Sequence, residues 1–235
     1  MSKKKLFPVP TDSHYQNFSD MLTHELKTPL TTIKIFIDLL VSRSQKEKNQ
    51  FFLNYLQKID SKIDLLTTQI NNYYQITKIK NNQLEFNSRF FSLKELIPDT
   101  LAEIETDLKI NIKSITKVEG KIKIDHQYFK QMLSLLLVQL TKNLNHQNHN
   151  PIFMFDTDSS NSLTINILNP PKNVKTSNLS LLIPSPKHSR DFQNDIPGSL
   201  ANQIALHYRG FIQLYKHPKL DFIYAIQLPT AKTIL

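Results

Sequence analysis

In the run THELKTPLTTIK, Thr23 to Lys34, a histidine (His24) is followed at once by an acid (Glu25), and Thr28 comes one helical turn later. A neutral imidazole is a nucleophile near pH 7 when an adjacent acid can manage its proton. Glu25 is such an acid. On a helix the Thr28 hydroxyl falls beside the same ring, because positions four apart are neighbours. The chemistry on offer is attack by an imidazole nitrogen on an electrophile, with acid/base help from the next residue. A solitary histidine is ordinarily a surface residue or a satisfied core residue, and it is these neighbours that favour the reactive reading.

The histidine needs an element that holds it outward. On a wheel of about 100° per residue, Leu22, Leu26, Ile33, Ile37 and Leu40 fall within about 40° of the side opposite His24. Phe18, Pro29 and Phe36 fall within about 60° of it. Thr28 and Thr31 share the polar face with His24, and Glu25 lies at its flank. A helix of this pattern buries the far stripe and presents the histidine to solvent. Pro29 removes a backbone donor just past the site and loosens the helix there.

Eight consecutive residues, Thr23 to Leu30, fit the pattern S/T-H-E-L-K/R-T-P-L without a mismatch. The run resembles the H-box of two-component sensor histidine kinases. The resemblance implies that His24 is the phosphoacceptor, taking the γ-phosphoryl group of ATP and passing it to an aspartate of a response regulator. It implies that Glu25 is the acid/base. It implies that Thr28 positions water when the protein works in reverse as a phosphatase of the regulator.

Two long amphipathic helices are expected around this motif, about Tyr15–Ser42 and Gln50–Ile79, with SRSQKEKN as the turn. Helix two carries Phe52, Leu56, Ile59, Ile63, Leu66, Ile70 and Tyr73 in alternating steps of three and four, a heptad seam. Two such helices on a short loop form an antiparallel hairpin. One hairpin cannot cover both its stripes, so a dimeric four-helix bundle is the expected solution, as a homodimer or a heterodimer with another histidine kinase. Without His24 and its neighbours the same pattern would read as a plain coiled-coil hairpin.

Residues 1–14 read as a polar tail, 15–80 as the dimerisation and phosphotransfer hairpin, and 81–235 as a second domain. In the second domain strands are expected at Gln83–Phe91, Asn111–Val118, Lys121–Ile124, Pro151–Phe155, Leu163–Leu168, Phe211–Tyr215 and Phe222–Leu228. Helices are expected at Leu93–Leu108, interrupted or bent near Pro98, at Gln127–Asn143 and at Leu200–Tyr208. Alternating helices and strands imply a two-layer α/β sandwich. The order resembles the ATPase domain that follows the H-box in the same family, with a lid over about 169–198.

The fold pattern continues there, and the nucleotide chemistry does not. The family's Mg²⁺-holding asparagine helix face maps onto Leu135 and Gln139. Leucine has no donor atom, and the longer glutamine suits the strict octahedron of Mg²⁺ poorly. The adenine-reading D-x-G-x-G maps onto Asn169–Asn173, NPPKN, and the last glycine box onto Asp195–Ala201, DIPGSLA, where only Gly198 remains. A Cβ obstructs close backbone approach to phosphate, and the chain has 3 glycines. ATP and Mg²⁺ are implied by the resemblance, with Gln139, Asn169 and Gly198 as degenerate box positions. The reading is a pseudokinase or phosphatase-biased histidine kinase. An active kinase with a divergent ATP site and a non-catalytic dimerising adaptor are the alternatives.

Composition narrows the rest. With 235 residues, 40% hydrophobic, the chain can bury a sizeable core. It has no cysteine, which excludes disulfides and thiolate chemistry. The net charge of +9 raises nucleic acid as a partner, but there is no basic helix with interleaved aromatics and no helix-turn-helix signal, so none is expected. No apolar run approaches a membrane span. The MSKKK start lacks the apolar stretch of a signal peptide, and a cytoplasmic location is expected, with contact at the inner membrane face as an extension. The tail is too short for a sensor domain, so input is expected from another protein, unless the chain is part of a longer one. His146 and His149 have no third ligand nearby and read as a solvated loop, as Asp156 and Asp158 read as turn acids.

Overall fold

A computed structural model describes residues 12–47, 49–142, 151–157, 162–170, 196–217 and 221–231. Within these it describes side chains from Leu26 onward, those of residues 29, 142, 196, 216, 217, 221 and 222 excepted. The 1–11 part of the tail, His146, His149, Asp158 and most of the expected lid lie outside the described residues. The chain divides into two units between Leu84 and Glu85.

The first unit is a helical hairpin. Helix α1 spans Asp12–Lys46 and α2 spans Gln50–Lys80. The first helix runs into the expected turn. An i,i+4 ion pair from Arg43 Nε to Glu47 Oε1 at 2.8 Å and burial of Ser44 extend it by a turn. Asn49 caps α2 by accepting the Phe52 N–H at 3.1 Å, which satisfies one of the orphan donors at a helix start. At the other end Asn82 adopts φ 53° and the chain leaves the helix, a conformation asparagine tolerates better than most residues.

The hairpin core joins Ile37 to Leu56 and Ile63, with Leu30 and Val41 packed against them. This divides the stripe read from sequence. Leu26, Ile33 and Leu40 of α1 and Phe52, Ile59, Leu66 and Tyr73 of α2 stay exposed. Each set repeats every seven residues, so each forms one line along its helix. The antiparallel geometry puts both lines on the same side of the hairpin.

The second unit is an α/β sandwich. Its elements are β1 (Arg89–Ser92), α3 (Leu93–Leu108), β2 (Lys113–Lys117), β3 (Lys121–Ile124), α4 (His126–Lys142), β4 (Ile152–Thr157), β5 (Ser162–Leu168), α5 (Ile196–His207), β6 (Phe211–His217) and β7 (Asp221–Pro229). Among the described residues the main sheet runs β2-β4-β5-β7-β6, and β1 pairs with β3 in a separate two-stranded ribbon. Strand β2 is parallel to β4 and the other pairings are antiparallel. In register, Phe153, Ile167 and Tyr224 form one cross-sheet row and Phe155, Ile165 and Ile226 the next. All are fully buried, as are Leu133, Leu136 and Leu137 of α4 and Leu200 and Ile204 of α5. Period-two strands and period-3.6 helices bury one face each, which is the two-layer solution. A smaller cluster of Ile152, Leu168, Tyr215 and Ile223 occupies the opposite face of the sheet.

Three expectations change. Strand β1 is confined to Arg89–Ser92 rather than starting at Gln83. Its partner β3 ends at Ile124, opposite Arg89, so residues 83–88 have no ladder to join. Side chains hold them instead: Asn87 N–H donates to Asp125 Oδ2 at 2.8 Å, and Ser88 Oγ lies 3.3 Å from Tyr208 Oη. Asp156, expected in a turn, is inside β4, opposite Thr164 on one side and Lys117 on the other. Pro98 does not interrupt α3.

Candidate functional site

Backbone placement puts His24, Glu25 and Thr28 in the first half of α1, within one helical stretch that continues through Pro29. The side chains of His24 and Glu25 lie outside the described residues. Thr28 is exposed. Its carbonyl accepts the Thr32 hydroxyl at 3.1 Å, and the Lys27 carbonyl accepts that of Thr31 at 2.9 Å. Pro29 has no N–H, so the carbonyl of Glu25 has no intrahelical donor. Similar back-bonds occur on α2 at Ser61, Thr67, Thr68 and Thr77, so the donor missing at Pro29 is what distinguishes the turn after His24.

The second helix braces this segment through residues that the sequence reading did not single out. Lys34 Nζ lies 2.7 Å from Asp60 Oδ1 and 3.0 Å from Asp64 Oδ1. The hydrogen bond to Asp60, then that to Asp64, pushes the ammonium pKa well above its usual value. Nearer the motif, Lys27 Nζ stands 5.7 Å from the centroid of the Tyr74 ring, with Lys78 Nζ 4.5 Å from the same ring. A ring face flanked by two ammonium groups draws both heads toward α2. Nothing in local sequence marks Tyr74, which is 47 positions from Lys27 and meets it only through the hairpin register.

The degenerate box positions fall on three elements of the second unit. Leu135 and Gln139, one turn apart on α4, are both half-buried. Asn169 directly follows β5 and Gly198 is buried in the first turn of α5. Helix α4 packs on both β5 and α5, so the fold gathers these elements. At the positions the resemblance maps, Leu135 offers no oxygen, and Gln139 and Asn169 carry amides. Among the described residues no group of three or more His, Cys, Asp or Glu could hold a metal ion. Asp125, from which the box positions are counted, caps α4 instead: Oδ1 accepts the Gln127 and Tyr128 N–H groups at 2.9 and 3.3 Å.

The fold therefore defines a class: a helical phosphoacceptor hairpin followed by an α/β domain of the histidine kinase ATPase type. Residues 15–82 match the His Kinase A (phospho-acceptor) domain. That match covers the hairpin alone, and it is over these residues that the chain is similar to the phosphoacceptor domains of histidine kinases. Among solved structures it is similar in fold to the Acinetobacter baumannii histidine kinase AdeS, at 16% identity and TM-score 0.54, over 89% of this chain and 98% of that one. It is also similar to full-length ShkA in complex with AMPPNP, at 12% identity and TM-score 0.61, over 93% of this chain and 46% of that one. No curated protein matches the chain. Among the described residues no helix is long and apolar enough to cross a membrane.

Proposed function

We propose that this protein moves phosphoryl groups between His24 and an aspartate of a response regulator, and removes them from the regulator, with little or no ATP binding of its own. One contrast carries the reading: an unbroken Thr23–Leu30 motif on α1 beside nucleotide positions reduced to Leu135, Gln139, Asn169 and Gly198. In the transfer, an imidazole nitrogen of His24 attacks the phosphorus of the regulator's acyl phosphate. The P–O bond to the aspartate breaks as the P–N bond forms, and the reverse step returns the group. Glu25 manages the imidazole proton, and Thr28 orients water for hydrolysis of the regulator's acyl phosphate. These steps need the hairpin, the regulator and the regulator's own metal site.

A second copy, or a related kinase, supplies the other half of the bundle. The exposed lines Leu26/Ile33/Leu40 and Phe52/Ile59/Leu66/Tyr73 are apolar and uncharged, which suits an isologous contact between identical faces. The second reading is an autokinase with a divergent site, supported by the retained α/β fold and its similarity to ShkA, whose structure holds AMPPNP.

The deciding experiment is radiolabelled Mg²⁺-ATP with wild type and His24→Ala side by side, followed by incubation of each with a phosphorylated matched regulator. The expected result is poor labelling of both, with label loss from the regulator in wild type. Robust acid-labile labelling of wild type that is absent in His24→Ala restores the autokinase reading.

A further inference from the structure

Lys27 and Lys34 lie one heptad apart on α1, so both follow the same line toward α2. Their surroundings differ. Lys34 is held between two carboxylates, Asp60 at 2.7 Å and Asp64 at 3.0 Å. Lys27 meets a ring instead: its Nζ stands 5.7 Å from the centroid of Tyr74, and Lys78 Nζ stands 4.5 Å from the same ring. Lys27, Tyr74 and Lys78 are all half-buried. Among the described residues no carboxylate pairs with Lys27. From Leu65 to Lys80 the sequence of α2 contains no Asp or Glu. Partial burial makes a charge without a counterion costly. An aromatic face offsets part of that cost and neutralises none of the charge. Two ammonium groups drawn to one ring therefore make a site short of negative charge.

The register sets that site level with the motif. In an antiparallel hairpin a step toward the N-terminus of α1 matches a step toward the C-terminus of α2. The ten positions from Lys34 back to His24 correspond to ten from Asp60 and Asp64 forward to residues 70–74 of α2. Lys27 is also three positions after His24, hence its neighbour on the helix surface.

We propose that Lys27, held by the Tyr74 ring and reinforced by Lys78, is the counter-charge for the phosphoryl group carried on His24. The inference rests on the phosphotransfer reading and adds to it residues of α2. Tyr74 touches no reacting atom and is a positioning residue: it fixes where the Lys27 ammonium stands. A phosphoryl group on nitrogen carries up to two negative charges, and an ammonium already in place favours the doubly charged form. The same charge draws the oxygens of an incoming acyl phosphate toward the imidazole. Lys34, neutralised by two acids, does not serve in this way.

The test loads the full chain at His24 with potassium phosphoramidate, which needs neither ATP nor a regulator: the imidazole takes the phosphoryl group and ammonia leaves. His24→Ala identifies the phosphorus NMR signal of the loaded site. The midpoint at which that signal titrates between the singly and doubly charged forms is then compared among variants. Wild type is expected to titrate about half a pH unit below Lys27→Gln and Tyr74→Leu. Tyr74→Leu keeps apolar bulk and lacks the ring face, whereas Tyr74→Phe keeps the face and is expected to restore the wild-type midpoint. Thermal unfolding shows that each variant is folded, and if Tyr74→Leu is not, Lys27→Gln alone decides. Equal midpoints in wild type, Lys27→Gln and Tyr74→Leu overturn the proposal, as does a folded wild type that takes no phosphoryl group at His24. Tyr74→Phe titrating like Tyr74→Leu would give the effect to the hydroxyl and overturn the role of the ring. A loaded His24 that never exchanges with a matched regulator defeats the phosphotransfer reading, while the lower wild-type midpoint still upholds the counter-charge.

Discussion

The ring of Phe86 lies flat on the imidazole of His207, with centroids 3.7 Å apart and planes 16° from parallel. Tyr128 and Tyr208 close the cluster, their ring centroids 4.5 and 5.6 Å from that of Phe86. Desolvation on the side stacked against Phe86 lowers the His207 pKa from its usual value of 6.5, although the rest of the side chain is exposed. The folded state therefore prefers neutral His207. Its stabilising contribution is complete above about pH 6.5 and is lost as pH falls through the lower folded value. His207→Phe keeps a stacking ring and removes the titration. Denaturant unfolding of both proteins from pH 8 to pH 5 is expected to show wild type losing stability relative to the variant below pH 6.5. Parallel curves over the whole range would refute this.

Asp125 ties the entry segment of the second unit to α4. Its carboxylate accepts N–H groups from Asn87, Gln127 and Tyr128, while its own N–H donates to Tyr208 Oη at 3.0 Å. Asp125 is buried, so Asp125→Ala strands donors that water reaches poorly. The expected cost is about 1–3 kcal/mol. Asp125→Asn, which keeps an acceptor, should lose less. Chemical denaturation of the three proteins measures both differences.

Gly210 follows Arg209, which has φ 59° and ends the turn out of α5. A Cβ at Gly210 would stand 2.3 Å from the Gln227 carbonyl oxygen and 2.6 Å from Leu228 Cδ2. A backbone carbonyl in a paired strand cannot swing aside as a side-chain end can. Gly210→Ala is expected to destabilise the second unit by about 1–3 kcal/mol, read as a lower denaturation midpoint. A midpoint equal to wild type would mean that β6 and β7 part more easily than their ladder suggests.

The two faces of the hairpin respond differently to mutation. Ile63 is in the core with Ile37 and Leu56, and Ile63→Ala should cost about 2–4 kcal/mol of hairpin stability. Ile59 and Leu66 are exposed on the line proposed to meet a second copy. Ile59→Glu/Leu66→Glu should leave each hairpin helical while sedimentation velocity shifts from dimer to monomer. Wild type that sediments as a monomer at micromolar concentration would remove the bundle.

Thr28→Ala should slow dephosphorylation of a matched regulator without disturbing the fold, because Thr28 is exposed and surface changes usually stay within about 0.5 kcal/mol. The rate of label loss from the phosphorylated regulator is the measurement, with a thermal scan as control. An unchanged rate would assign water positioning elsewhere.

Much of this molecule was legible before any coordinates. The Thr23–Leu30 run carries its family resemblance in eight consecutive residues, so a window of local sequence contains all of it. Helix and strand order followed for the same reason, since period 3.6 and period 2 are local properties. Tertiary structure decided what depends on distant partners. Whether Ile37 or Ile33 enters the hairpin core depends on which side α2 lies. Whether residues 83–88 form a strand depends on where β3 stops. The Lys27–Tyr74 and Lys34–Asp60 contacts depend on the antiparallel register, which no window of neighbouring residues contains.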